Sequence, residues 1–237
     1  MNLRCRALAL ALLATPVCAL AHHGTRFLIA VEYDMVRQPF LFVNGTYSQF
    51  RHEDNTVLAE PALLLPLGRD GLSEFEIHAH IEGEGSAPLK HEATGFEIRH
   101  RFTRQPGWNF AAGLEYETTQ RNVEEPNNWT ATLVAGKEDQ KGLLLFNLVD
   151  EIDAEPGAKS LWGYRAAWSP TPNGLMNYSF ELQGDLQSHG SHEFAIGMMQ
   201  HLDPNTMIKV GVGTGLTSDS PRFTFRLGLV RALGGIE

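Results

Sequence analysis

The chain has 237 residues, with 28 acidic against 19 basic side chains and a formal charge of −9. Such an acidic balance repels phosphates and argues against nucleic acid as a partner. The two cysteines, Cys5 and Cys18, both lie in the first stretch, and no later segment reaches the roughly 18 uninterrupted apolar residues of a membrane helix, so neither disulfides nor a spanning helix organise the rest.

The first stretch, MNLRCRALALALLATPVCALA, places two arginines before a short apolar run that ends in Ala19-Leu20-Ala21. This order predicts a secretory signal cleaved after Ala21, with His22 at the mature N-terminus. Val17 before Cys18 does not fit lipoprotein processing. Removing Arg4 and Arg6 leaves 17 basic against 28 acidic residues, a formal charge of −11. The expected domain plan is a signal over 1–21, an N-terminal arm or extra strand over 22–39, a barrel over 40–233 and a tail over 234–237.

Residues 26–35 are mixed in pattern, and a turn at Arg37-Gln38-Pro39 precedes the first clear strand, 40–50. A polar turn leads to a strand over 56–67, in which Pro61 and Pro66 each remove a ladder donor. In residues 73–83, Phe75, Ile77, Ala79 and Ile81 alternate with Glu74, Glu76, His78, His80 and Glu82, the two-residue period of a strand with one apolar and one charged face. Residues 92–103 set Phe96, Ile98 and Phe102 against Glu97, Arg99 and Arg101, and residues 108–119 set Phe110, Leu114 and Tyr116 against Glu115 and Glu117.

Further strands are expected over 129–138, 143–152, 161–169, 175–186 and 192–202. In the fourth-last pair, Trp162, Tyr164 and Trp168 oppose Arg165, and Met176, Tyr178, Phe180 and Leu182 oppose Glu181 and Asp185. The closing stretch, 206–233, is a hairpin. Ile208, Val210 and Val212 alternate with Lys209, Gly211 and Gly213, and Phe223, Phe225, Leu227 and Leu229 alternate with Thr224, Arg226 and Gly228.

An apolar face of this kind meets a second sheet in a soluble sandwich and lipid in a membrane barrel. The connections decide between them. From residue 40 onward there are about twelve strands, an even number, and tight turns near Arg69, Pro106, Gln140, Asn173 and Asn205 alternate with mostly longer or more polar ones near Asp54, Ser86, Glu125, Glu155, His189 and Ser218. Counted back from a periplasmic C-terminus, the tight set falls on one side, as in bacterial outer-membrane barrels. The expected fold is therefore all-β: an antiparallel up-and-down transmembrane β-barrel of about twelve strands. Residues 26–35 do not fit that count and are assigned as an arm, a lumen plug or a strand fused with the next.

Alternation then assigns Glu74, Glu76, His78, His80, Glu97, Arg99, Arg101, Glu115, Glu117, Arg165, Glu181, Asp185, Lys209 and Arg226 to the lumen. Charges enclosed there need pairing or hydration, so a network across neighbouring strands is expected, either filling the interior or lining a solute path. Glu181 and Asp185 are the acidic partners expected for Lys209 and Arg226. His78 and His80 point the same way among carboxylates, which is metal-capable chemistry, and His22-His23 at a free terminus is a possible copper chelator. The run Ser188-His189-Gly190-Ser191-His192 holds the residue types of a surface-loop hydrolase without a matched orienting partner. No glycine-rich phosphate loop or zinc-ribbon spacing occurs.

The stretch GVGTGLTSDSPRFTFRLGLV, residues 211–230, resembles the C-terminal hairpin of an outer-membrane barrel family labelled for the meta-pathway of phenol degradation, and residues 162–185, with Tyr164-Arg165 and Glu181, are similar to it too. The resemblance implies a barrel of about twelve amphipathic strands that transports small, often hydrophobic compounds. It implies outer-membrane lipid and the barrel-assembly machinery as partners, a small solute as cargo, no enzymatic step and no cofactor. The chain departs from the usual terminal aromatic, running Arg231-Ala232-Leu233 and then Gly234-Gly235-Ile236-Glu237.

Overall fold

The computed structural model of the chain describes residues 27–234 apart from 52, 69, 104–105, 121–125, 171–175 and 189. The expected signal segment, His22, His23 and His189 fall outside the described residues. Twelve strands follow one another: β1 (Phe40–Gln49), β2 (Thr56–Leu67), β3 (Ser73–Glu84), β4 (Lys90–Arg101), β5 (Trp108–Thr119), β6 (Asn128–Asp139), β7 (Gly142–Asp153), β8 (Leu161–Pro170), β9 (Met176–Asp185), β10 (His192–Asp203), β11 (Thr206–Gly215) and β12 (Phe223–Ala232). Each pairs antiparallel with its sequence neighbours, and β1 pairs with β12 from Phe40↔Ala232 to Gln49↔Phe223, which closes the sheet into a barrel without free edges. No helix among the described residues is long and apolar enough to cross a membrane.

Both chain ends of the barrel, Phe40 and Ala232, lie at one end, here the near end. The near-end connections include the two-residue turns 140–141 and 204–205, whereas the far end carries the longer 120–127, 154–160 and 216–222. Within each strand the period of two is kept. In β12, Phe223, Phe225, Leu227 and Leu229 are exposed outward while Thr224, Gly228 and Val230 are buried inward. Around the rest of the wall Ile98, Leu114, Leu133, Phe146, Ile196 and Val212 stand outward, 43 to 58 % exposed, an apolar belt that water would not favour. All four tryptophans are on this outer face, Trp108 and Trp168 toward the near end, Trp129 and Trp162 toward the far end. Rings at both edges of the belt match the interfacial girdles of membrane barrels.

Pro61 does not break β2. It stands opposite Val43 of β1, and the ladder to β3 skips Glu60 and Pro61 before resuming at Ala62↔His78. The lost donor is thus confined to a local lapse.

Residues 27–39 form no strand. Phe27, Tyr33 and Met35 pack on the inward side chains Ala111, Val134, Leu143, Leu145 and Ala167 of β5 to β8. Val36, with Leu28 and Phe40 beside it, packs on Phe42, Ala62, Leu64, Met199, Met207 and Val230 of β1, β2 and β10 to β12. The segment is therefore ringed by wall residues on every side and fills the near half of the interior. Small residues make the space: a Cβ at Gly136 would collide with the Tyr33 ring, and one at Gly197 or Gly211 would collide with Leu28.

Candidate functional site

Backbone amides placed inside a barrel cannot reach a ladder, so side chains must satisfy them. Glu181, 1 % exposed, does most of this. One of its oxygens accepts the Leu28 N–H at 2.7 Å, and the other accepts Ile29 and Ala30 at 2.7 and 3.1 Å. The Ser179 hydroxyl also donates to it, at 2.7 Å. Successive amides turned toward one carboxylate form an anion nest built from the chain itself. The Asn147 amide brackets the next residue, accepting from Val31 N and donating to Val31 O at 2.8 and 2.9 Å. Glu74 accepts the Val36 N–H at 2.5 Å.

The carbonyls of the segment are met by cations. Lys209 Nζ donates to Phe27 O at 2.9 Å, and Arg165 Nη1 to Ile29 O at 3.3 Å. Arg101 pairs with Asp34 and lies 5.0 Å over the Tyr33 ring. Five groups assigned inward by alternation, Glu74, Arg101, Arg165, Glu181 and Lys209, thus hold the interior segment.

The far half of the interior is a cavity of about 550 Å³. Leu28, Ile29 and Val31 of the segment contribute to its lining. Glu60, Glu76, Glu97, Glu115, Glu117 and Glu151 face it with Arg99, Arg165 and Arg226 and the imidazoles of His78 and His80. Val149, Glu151, Arg165 and Gln183 also line a second space of about 480 Å³ that reaches the far-end loop residues Gln187, Ser188 and Ser191, so the interior continues toward that rim.

On the β3 to β5 side, Arg99 Nη2 contacts Glu74 at 2.8 Å and Glu76 at 2.9 Å, with Nε 3.5 Å from Glu97. His78 Nε2 is 3.1 Å from Glu115, and its Nδ1 is 3.4 Å from Glu76. His80 Nδ1 is 2.9 Å from Glu117 and its Nε2 is 3.2 Å from Glu60. The remaining assigned residues divide. Arg226 belongs to a second cluster, whereas Asp185 is exposed at the far end of β9, where it accepts the Ser191 N–H at 3.0 Å and caps a loop.

The partner expected for Arg226 is corrected. Its two nitrogens fork onto Glu193 at 2.6 and 2.7 Å, with Gln183 donating to the same carboxylate at 2.8 Å and Thr224 bonding to it as well. Glu193 is on β10 and Arg226 on β12; they meet because β11 presents Gly213 between them, where a Cβ would collide with Glu193. Glu193, Glu60, Asn147 and Gln183 are absent from the residues read as inward. The available signal for Glu193 is its place opposite Phe194, Ile196 and Met198 in the alternation of β10.

This pair supports a quantitative expectation. Glu193 is 3 % exposed, so removing its guanidinium partner strands a buried carboxylate. Arg226→Met should destabilise the barrel by about 3–5 kcal/mol, whereas a double change to Glu193→Gln and Arg226→Met should cost much less. Urea unfolding followed by the loss of heat-modifiable gel mobility measures both, and a coupling energy of about 1–3 kcal/mol is expected from the cycle.

The loop residues do not assemble a hydrolytic pair among the described residues. His192 faces outward and its Nδ1 bonds the Tyr164 hydroxyl at 3.0 Å across Gly184. The Ser191 hydroxyl donates to Ser220, whose own oxygen bonds the His192 backbone. Both are spent on loop and wall structure.

No family model and no curated protein matches the chain. Solved structures do. The chain is similar to the NanC porin, at TM-score 0.60 and 10% identity over 81% of this chain and 100% of that one. It is similar to the KdgM porin in complex with disordered oligogalacturonate, at TM-score 0.59 and 11% identity over 82% and 99%. It is also similar to an outer membrane channel from Pseudomonas putida F1, at TM-score 0.61 and 10% identity over 87% and 100%. With about one residue in ten identical, the likeness is one of fold: this chain is a closed, all-antiparallel β-barrel of the kind that these channels have.

Proposed function

We propose that the chain is an outer-membrane β-barrel that passes a small solute passively, exported by a signal cleaved after Ala21 and inserted by the barrel-assembly machinery. The observation that carries this reading is the radial sorting of one closed sheet: an apolar belt with tryptophans at both edges outside, and a charged interior cavity continuing to the far rim. Porin and channel structures of the same fold support it. The resemblance to the meta-pathway family belongs to the same proposal, with one departure. That family is described as carrying hydrophobic compounds, whereas six carboxylates, three guanidinium groups and two imidazoles around this cavity favour a polar solute, and a cation over an anion.

Residues 27–39 close the near half, so the described state is a shut one, and passage requires the segment to move. No catalytic step and no cofactor enter this mechanism. The full-length protein in planar bilayers should show cation-selective conductance, small in the wild type and larger when the segment is released, and boiling should shift its gel mobility when it is taken from an outer-membrane fraction. Conductance at the level of a lipid control in both forms, or recovery from the soluble periplasm, would overturn the proposal.

A further inference from the structure

His78 and His80 are two residues apart on β3 and share the inward face, and Glu115 and Glu117 do the same on β5. β4 lies between them, and side chains two strands apart are ordinarily separated by whatever the middle strand presents. Here the middle strand presents Gly95, which pairs with His78 on one side and with Glu117 on the other. A Cβ at Gly95 would collide with the His78 ring, so the glycine is what lets imidazole reach carboxylate. Ala93, opposite His80, is the next inward residue and is also small.

The donors converge. One nitrogen of His78, one nitrogen of His80 and one oxygen of Glu117 lie within 4.8 Å of one another. His80 Nδ1 to Glu117 Oε2 is 2.9 Å, His78 Nε2 to the same oxygen is 4.0 Å, and Glu115 Oε1 is 3.1 Å from His78 Nε2. Ligand atoms around a tetrahedral ion sit about 3.3 Å apart, given bonds of about 2.0–2.1 Å, so small side-chain rotations close the set.

A metal-bound imidazole characteristically gives its other nitrogen to a carboxylate, which fixes ring orientation. His80 has that arrangement, with Nε2 3.2 Å from Glu60, and His78 Nδ1 faces Glu76 at 3.4 Å without a hydrogen bond formed. Glu76 is in turn held by Arg99 at 2.9 Å, and the second oxygen of Glu117 accepts from Asn128 Nδ2 at 3.4 Å. The two rings are stacked with centroids 5.1 Å apart, and His78 Nε2 and His80 Nδ1 both face the carboxylates of β5.

We infer that His78, His80 and Glu117, with Glu115 as a fourth ligand, form a binding site for a divalent first-row metal ion on the wall of the interior cavity. Two imidazoles with carboxylates suit Zn²⁺, Co²⁺, Ni²⁺ or Cu²⁺ and not Mg²⁺ or Ca²⁺, which take oxygen ligands. The site rests on wall residues alone and stands whether or not the barrel conducts.

The test uses the full-length protein in detergent, stripped with chelator and titrated with Zn²⁺ and with Co²⁺. One Zn²⁺ per chain should bind in the wild type and in a His22→Gln/His23→Gln variant, which removes the terminal chelator. The Co²⁺ form should show the intense visible bands of four-coordination. Glu117→Gln and Gly95→Val should each weaken binding about tenfold or more, and His78→Asn/His80→Asn should abolish it. Heat-modifiable mobility monitors folding of every variant, and Glu117→Gln, which keeps both rings, answers the question if the double variant does not fold. Absence of saturable binding in the wild type, binding unchanged by Glu117→Gln, or binding lost in His22→Gln/His23→Gln alone overturns the site.

Discussion

Glu181→Ala should open the barrel. The substitution leaves the Leu28, Ile29 and Ala30 amides and the Ser179 hydroxyl without their shared acceptor, in an interior where water cannot replace it without entering. It also removes one of the negative charges near Lys209 and Arg165 beside the segment. Losing one buried charged acceptor with several donors costs about 3–5 kcal/mol, and most of that falls on docking of residues 27–31, because the wall keeps its own ladder. A several-fold rise in single-channel conductance is expected, with heat-modifiable mobility kept. Gly211→Val should act in the same direction by another route: its side chain collides with Leu28 while a β-branched residue suits a strand. Deletion of residues 27–36 sets the upper limit. If all three conduct like the wild type, the segment is not the barrier.

The wall of this barrel was legible in the chain because each strand carries its own evidence. Alternation in residues 73–83 and 223–229 depends on neither partner nor register, and the predicted strands match the observed bounds within about two residues. Turn lengths added the closure. Pro61 removes a ladder donor from β2, and the structure confines the effect to a lapse in one ladder. The same local rule sorted Glu74, His78, Arg99, Glu181 and Arg226 inward, since inside and outside follow from parity alone.

Pairing was legible only in part, for a physical reason. Sequence order suggests neighbours on adjacent strands, as Arg99 is with Glu74 and Glu76, whereas two of the pairs meet across a strand that presents glycine. Arg226 reaches Glu193 over Gly213, and His78 reaches Glu115 over Gly95. These glycines are visible in the chain, but their role depends on register, which sets what stands on either side. Residues 26–35 were the misfit because they lack a period of two. The amides of residues 28–31 and of Val36 are satisfied by Glu181, Asn147 and Glu74, each from a different strand, and no local pattern encodes such a set.

Arg99→Met should be the most damaging single change in the wall. Arg99 is 8 % exposed, and its guanidinium is shared by Glu74, Glu76 and Glu97. Methionine keeps most of the side-chain volume and removes the charge, leaving three neighbouring carboxylates of one sign without their shared cation. Breaking a single buried pair costs about 3–5 kcal/mol, so a hub of three should cost at least that and bring a barrel of ordinary stability close to failing to fold. Arg99→Lys keeps the charge but not the planar fork, and should recover only part of the loss. Adding Glu97→Gln to Arg99→Met removes one of the stranded charges and should recover more of it, while adding Glu74→Leu should recover stability at the expense of the segment, because Glu74 also accepts the Val36 amide and leucine cannot. Urea midpoints of the heat-modifiable band separate these cases, with conductance as the second readout. Arg99→Met as stable as the wild type would show that the carboxylates around it are hydrated rather than held by the guanidinium. Glu74 holds both the Arg99 guanidinium and the Val36 amide, so the charges that stabilise the wall are also the ones that keep residues 27–39 in the interior.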